Sequence, residues 1–205
     1  MTQQIVVLGA GGFARQIPSL VSDINAVLPR YEIIGFLAPE NSVPKNSLPV
    51  LGTDQKLIGI DARYVIGIGI PRLRASLDEF ATGLDRDTVT LVHPQTSTEI
   101  DVSVGPGCIV MPGVRIQTGS SLGRHVLANA NAVVGHDCQV DDHAVLSPLS
   151  MLAGDVLIGR NVLVGAGAVV LPGRKVADDA VIGAGAVVTT DVPAGACAMG
   201  VPARW

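Results

Sequence analysis

Large rings are scarce in this chain: one Trp, two Tyr and three Phe among 205 residues, or 3% aromatic, although 48% of residues are hydrophobic and 24 are glycine. Without rings to fill a thick interior, the core has to be built from Val, Ile, Leu and Ala, which suits thin, repetitive layers. Cysteine is sparse too. Cys108, Cys138 and Cys197 form neither an even-numbered disulfide framework nor a metal-ligand spacing, a usage that fits a reducing compartment. No Lys/Arg cluster is present and the net charge is −4, which argues against a nucleic-acid partner, whose phosphates require a concentrated basic face. No apolar run reaches membrane-spanning length, and Met1 to Val7 passes from a short polar start straight into a strand-like segment without a secretory leader pattern. The expectation is a cytoplasmic protein with no membrane insertion and no nucleic acid.

What is present falls into two grammars. From Gln4 to about Thr90, apolar runs alternate with helical patterns. Ile5 to Leu8 reads as a buried strand, Phe13 to Asp23 as a helix kinked at Pro18, Tyr31 to Leu37 as a second strand and Tyr64 to Ile70 as a third. Pro71 then suits a first helical turn, with Leu73, Leu77, Phe80 and Leu84 as an amphipathic stripe. Strands alternating with helices predict a small parallel sheet.

After Leu91 the period becomes six. Hexads counted from Val92 begin with an apolar residue at every step through Val188 except Thr98, and the register holds up to Pro193. The fifth position is small or branched, Cys108, Val126, Cys138 and Ala168 among them, with Arg174 the main exception. Each hexad is a short strand and a turn, with the first residue in the core and the fifth in a corner. Three hexads close a triangular coil, so every residue lies above the one eighteen positions earlier at a spacing of roughly 4.8 Å. A β-sandwich would show two-fold alternation and irregular turn spacing instead.

The stacking rule sorts the four histidines. His125 and His143 are eighteen apart and form a ladder with Gly107 and Asn161; with no third ligand in the ladder, solvated turn residues are favoured over a metal site. His93, before Pro94 at the junction, reads as structural. His136 precedes Asp137 at outward hexad positions, and spacing alone leaves two readings, a general base supported by a carboxylate or a solvated surface pair. Over His136 the next coil places Gly154, where a ligand can approach the backbone and an N–H can meet a developing oxyanion, which favours the base. Cys138, at the fifth position, reads as core rather than nucleophile.

Near the N-terminus, Gly9-Ala10-Gly11-Gly12-Phe13-Ala14-Arg15 follows a strand and opens a helix, the setting in which backbone N–H groups and the helix dipole hold phosphate. The loop is compatible with NAD, with a sugar nucleotide or with a plain tight turn. NAD is disfavoured because Leu37-Ala38-Pro39, rather than an acidic residue, ends the second strand, although Glu40 follows.

Taken together, the Gly9-to-Arg15 loop, the Leu91-Val92-His93-Pro94 lead-in, the Val134-to-Cys138 motif and the ending Gly200-Val201-Pro202-Ala203-Arg204 resemble the PglD/NeuD group of bacterial sugar acetyltransferases over nearly the whole chain. The resemblance implies a Rossmann-like α/β nucleotide-sugar-binding domain over 1–90, then a left-handed parallel β-helix of hexapeptide repeats, the acyltransferase domain, over 91–205. It implies a homotrimer with acetyl-coenzyme A between neighbouring β-helices, no metal, and N-acetylation of a nucleotide-linked amino sugar for surface glycans. His136 would be the general base and Asp137 its support; Gly154, Ala166 and Ala184 would contact acetyl-coenzyme A; Gly11, Gly12, Phe13 and Gly69 would meet the sugar nucleotide. Two positions depart from the family pattern: Ala38-Pro39 replaces an Asp pair, and Val145 stands where the family has a second histidine that touches the acetyl donor. The alternatives are an O-acetyltransferase of a sugar such as a sialic acid and, favoured only by Val145, a non-catalytic trimeric binding or scaffold protein.

Overall fold

The structure, a computed structural model, describes residues 2–39 and 48–205. The first part is a four-stranded parallel sheet of β1 (Gln3–Leu8), β2 (Tyr31–Leu37), β3 (Val50–Gly52) and β4 (Arg63–Ile66), in the order β3-β2-β1-β4. Side chains of a strand alternate between faces. Ile5, Val7 and Val65 accordingly join one apolar cluster with helix α1 (Ile17–Val27), while Val6, Leu8, Tyr64 and Ile66 join another against helix α2 (Pro71–Gly83).

Several details depart from the sequence expectation. Pro18 does not kink a helix; it sits in the first turn of α1, after a 3-10 turn at Ala14–Gln16, where its missing N–H is harmless. The strand expected over Tyr64 to Ile70 stops at Ile66; Gly67, which follows, packs too closely on Val7 and Ala14 to carry a side chain. The edge strand β3 and a 3-10 segment at Asp54–Gly59 are too short to show a period. In α2, Leu73 is 48% exposed; the fully inward stripe is Pro71, Arg74, Asp78 and Ala81, with Leu77, Phe80 and Leu84 half-buried beside it.

From Leu91 onward the chain is a parallel β-helix of two-residue strands in three sheets. The first face runs from Leu91–Val92 to Cys197–Ala198, the second from Ser97–Thr98 to Val187–Val188 and the third from Ser103–Val104 to Lys175–Val176. Partners are eighteen residues apart, as in Ser121 with Gln139 and Val133 with Met151. First-position residues from Val110 to Val188 and the fifth-position Cys108, Val126, Cys138, Ala144 and Ala168 fill the prism. Val92, at the open end, is 38% exposed instead. The register also shifts before Pro193: Val192 lies over Val176, sixteen positions on, and Cys197 over Val181 likewise. There the Asp191 carboxylate accepts the Lys175 N–H at 3.0 Å and cuts the corner short.

Outward residues of the first face make an apolar ladder, Leu91, Ile109, Leu127, Val145 and Leu163, that packs with Ile17, Leu20 and Val21 of α1. Each fully buried member contributes about 1.5–3 kcal/mol, so a few of them hold the α/β layer on the β-helix. Val145, 3% exposed, is one rung of this ladder.

Candidate active site

Three groups of residues singled out from the sequence lie on three parts of this framework. The glycine loop leaves β1 beside the end of β4, at the point where the strand order reverses, which is where open parallel sheets bind ligands. Gly9 turns the chain with φ of 102°, a conformation that favours glycine, and its N–H donates to the Leu37 carbonyl at 2.7 Å. Gly11 and Gly12 are exposed, and neither a side chain at Gly11 nor one at Gly69 would meet any atom within 4 Å. Phe13 is half-buried in the cluster that includes Leu163 and Ala130 of the β-helix, so the loop faces the first face and its far corner. At the end of β2, Ala38 is buried with its N–H on the Gly52 carbonyl, and Pro39 offers no acid; Glu40 lies outside the described residues.

The second group, Ala166 and Ala184, is exposed at the corner that follows the first face, one coil apart, with the Gly185 N–H on the Ala166 carbonyl at 2.8 Å. They leave a strip of low relief along that edge.

His136, Asp137 and Gly154 form the third group, at the next corner, after the second face. Asp137 has φ of 57°, the left-handed turn that the hexads from Thr98 to Ile182 make at their fourth position and that Asp tolerates better than most residues. The turn aims its carboxylate back at the preceding imidazole, and His136 Nδ1 lies 2.8 Å from Asp137 Oδ2. That bond fixes the proton on Nδ1, leaving Nε2 as the free lone pair, and it raises the His136 pKa above its ordinary value of 6.5. Both side chains are more than half exposed. A methyl group built on Gly154 would overlap Nε2 and Cε1 of His136, so the bare backbone above the ring makes its orientation possible. Cys138 is buried with its Sγ on the Ala153 carbonyl at 2.9 Å, and burial pushes its thiol pKa up, as a core residue requires.

Within one chain, His136, Asp137 and Gly154 are together, but Ala166 and Ala184 occupy a different corner and the glycine loop faces the first sheet.

His125 and His143 are not solvated. His125 is fully buried and His143 is 16% exposed, stacked at 6.0 Å beneath α2, where both reach the Asp78 carboxylate. Tyr64, Asp78 and Arg124 complete this cluster, and Arg74 lies beside it; none was singled out from the sequence. The available signal was Arg74, Asp78 and Ala81 at helical spacing, a stripe that carries two charges inward. His93 is 6% exposed and ties the junction to α1 through Asp23 at 3.1 Å. Among the described residues no group of His, Cys, Asp or Glu has metal-holding geometry, and no helix is long and apolar enough to cross a membrane.

Comparison with known proteins joins these observations. Residues 4–79 match the family PglD N-terminal domain, and 155–190 match Bacterial transferase hexapeptide (six repeats). GDP-perosamine N-acetyltransferase of Escherichia coli O157:H7 is 31% identical over 156 residues, covering 74% of this chain and 71% of the relative. The acetyltransferase domain of PglB from Neisseria gonorrhoeae FA1090, solved in complex with acetyl coenzyme A, superposes with a TM-score of 0.92 at 30% identity, covering 100% of this chain and 99% of the other. PerB from Caulobacter crescentus, solved with CoA and GDP-perosamine, gives a TM-score of 0.90 at 32% identity over 100% and 97% of the two chains. An α/β layer with an open glycine loop, docked on a hexapeptide β-helix that bears a histidine-carboxylate pair, thus has relatives along its whole length, and the chain belongs to the PglD/NeuD-type sugar acetyltransferases, a branch of the left-handed β-helix acyltransferases.

Proposed function

We propose that this protein is an acetyl-coenzyme A-dependent N-acetyltransferase of a nucleotide-linked amino sugar, acting in the cytoplasm in the assembly of surface glycans. The observation that carries the reading is the His136 imidazole, with Nδ1 committed to Asp137 and Nε2 free beside Gly154. That geometry suits removal of a proton from an amine as its nitrogen attacks a thioester carbonyl. The new bond is nitrogen to carbonyl carbon, the broken bond is carbon to sulfur, and His136 can return the proton to the departing thiolate. Asp137 stabilises the imidazolium in between, and the Gly154 N–H is the candidate oxyanion donor.

Residues 1–90 are read as the nucleotide-sugar domain, with Gly11, Gly12, Phe13 and Gly69 against the sugar nucleotide, and 91–205 as the acyltransferase domain. Ala166 and Ala184 fit acetyl-coenzyme A because they are exposed on two stacked turns, 165–168 and 183–186, that hold only Gly and Ala. Since that corner and His136 lie on different edges of one β-helix, the reading includes a homotrimer in which His136 of one subunit meets the loop and corner of its neighbour. The acceptor's nucleotide contacts differ from the family pattern at Ala38-Pro39. Val145, packed in the apolar ladder, has a structural use of its own and is no argument for a scaffold.

Thiol release from acetyl-coenzyme A, measured with GDP- and UDP-linked 4-amino sugars and with the matching hydroxy sugars, tests the proposal. Release with an amino sugar that is lost in His136→Ala is the expected outcome. Release with the hydroxy sugars alone would replace it with O-acetylation, and full activity in His136→Ala would remove the base.

A further inference from the structure

One guanidinium, buried completely, ties the loop after β4 to the β-helix. Arg74 Nη1 donates to the carbonyls of Ile66 and Ile68 at 2.8 and 2.7 Å, and its Nε and Nη2 donate to the His125 carbonyl at 3.1 and 2.9 Å. One helical turn on, the Asp78 carboxylate accepts from the Tyr64 hydroxyl at 2.8 Å, from Arg124 at 2.6 and 2.8 Å and from His143 at 2.8 Å, with His125 at 3.0 Å. A third contact, Arg72 to Asp179 at 3.1 Å, lies two coils above His143. The spacings match: six residues of α2 rise about 9 Å, and two coils rise about 9.6 Å. α2 therefore lies in register along the corner between the third and first faces.

A buried cation is costly to retain unless its donors are used, and simple packing at this position would be served by an apolar side chain. Arg74 uses its donors on backbone rather than on side chains. Of its three acceptors, Ile66 ends β4, Ile68 belongs to the loop that carries Gly69, and His125 belongs to the β-helix. Gly69 itself is open, since a Cβ there would meet no atom within 4 Å.

We propose that Arg74 is a positioning residue for the acceptor: its guanidinium fixes the Ile66–Gly69 backbone to the β-helix turn at His125, while the Asp78 cluster keeps α2 in register. The acceptor end of the site is thereby held at a set distance from the acetyl-donor corner of the same subunit. The inference rests on the acetyl-transfer reading above. Only the acceptor half depends on this tie, because Ala166 and Ala184 belong to the β-helix itself.

The test is Arg74→Lys in the full-length protein, which keeps the charge but loses the fork that spans both sets of carbonyls. The expected result is a KM for the amino-sugar nucleotide raised by about tenfold or more, with the acetyl-coenzyme A KM and calorimetric CoA affinity within about twofold of the parent. A merely structural defect would move both substrates together, so equal changes in both, or no change in either, would overturn the proposal. Arg124→Lys, at a partly exposed member of the cluster, is read by the same split and decides the matter if Arg74→Lys does not fold. Should the parent protein transfer acetyl to no amino sugar, the functional reading fails instead. Titration with GDP and UDP then tests the positioning alone, with weaker nucleotide binding and unchanged CoA binding expected in the variants and equal binding overturning it.

Discussion

At His136 the two ring nitrogens are made unequal by Asp137, and the consequences can be measured on single side chains. The carboxylate raises the imidazole pKa above 6.5, so the rate should fall with decreasing pH along a limb that lies above the ordinary histidine value. Asp137→Asn removes the charge and should move that limb down toward 6.5 while lowering the plateau, because the weaker base is neutral over a wider range but accepts the proton less readily. A pH–rate profile of kcat/KM for both proteins checks this, and an unmoved limb would detach Asp137 from the base. Gly154→Ala makes a second prediction. Gly154 has no left-handed φ, so alanine strains no backbone; the three nearest atoms to the new methyl all belong to the exposed ring of His136, which must swing away. Folding should survive while kcat drops by about 10²-fold, the scale of a small misplacement of a reacting group. The outward His136–Asp137 pair was legible in the sequence because a hexad fixes which positions face outward. The ring's dependence on a bare backbone one coil away was legible only in part: the register puts Gly154 over His136, but not the reach of the imidazole.

For the elements, the period of six determined the β-helix almost completely, since each strand is two residues long and its partner is set by counting. The turn chemistry is equally regular once seen: Asp101, His125, Asn131, Asp137, His143, Asp155, Asn161 and Asp179 all have φ between 52° and 61° at the fourth position, residues that tolerate this region. Leu149, at φ of 61°, is the exception. The buried cluster under α2 was not legible, because His125 and His143 occupy turn positions that are exposed in an isolated β-helix; their cover comes from Asp78, on an element with a different period. Burial pushes the His125 pKa down, helped by the Arg74 and Arg124 guanidiniums and opposed by Asp78. Its Nδ1 has no partner among the described residues, so a proton there would be an unpaired buried N–H. The sign follows: the unfolded chain binds this proton near 6.5 and the folded one does not, so the contribution is complete above that pH and is lost as pH falls below it. Burial alone would raise the Asp78 pKa, but hydrogen bonds from His125, His143 and Arg124 outweigh it and hold the carboxyl far below its ordinary 3.8, so Asp78 contributes no loss in the same window. Melting temperature should therefore decline between about pH 7 and about pH 5, and His125→Asn, which suits the turn, should flatten that decline. Parallel slopes in the two proteins would show that the histidine is protonated without cost.

On the scale of the whole molecule, His136, the glycine loop and the Ala166–Ala184 corner face different directions around one triangular prism. If the glycine loop over the first face takes the acceptor and His136 after the second is the base, no side-chain rotation joins them within one chain, since the second face lies between. The proposed homotrimer would solve this without any change of shape, because a three-fold axis would bring the second corner of each prism to the first corner of the next. If so, two inactive variants defective in different halves should repair each other. His136→Ala removes the base but keeps the loop. Gly12→Asp keeps the base and puts a carboxylate where phosphate is expected, at a position where a side chain would meet only the tip of Arg15, at 3.8 Å. Each interface in a randomly mixed trimer works only when the loop comes from the first variant and the base from the second, a chance of one half multiplied by one half. Co-expression in equal amounts should thus restore about a quarter of the parent activity, although either variant alone is inactive. Activity staying at zero in the mixture, with mixed trimers verified by mass, would mean that the loop and the base of one subunit work together and that the prism's edges are bridged within a single chain.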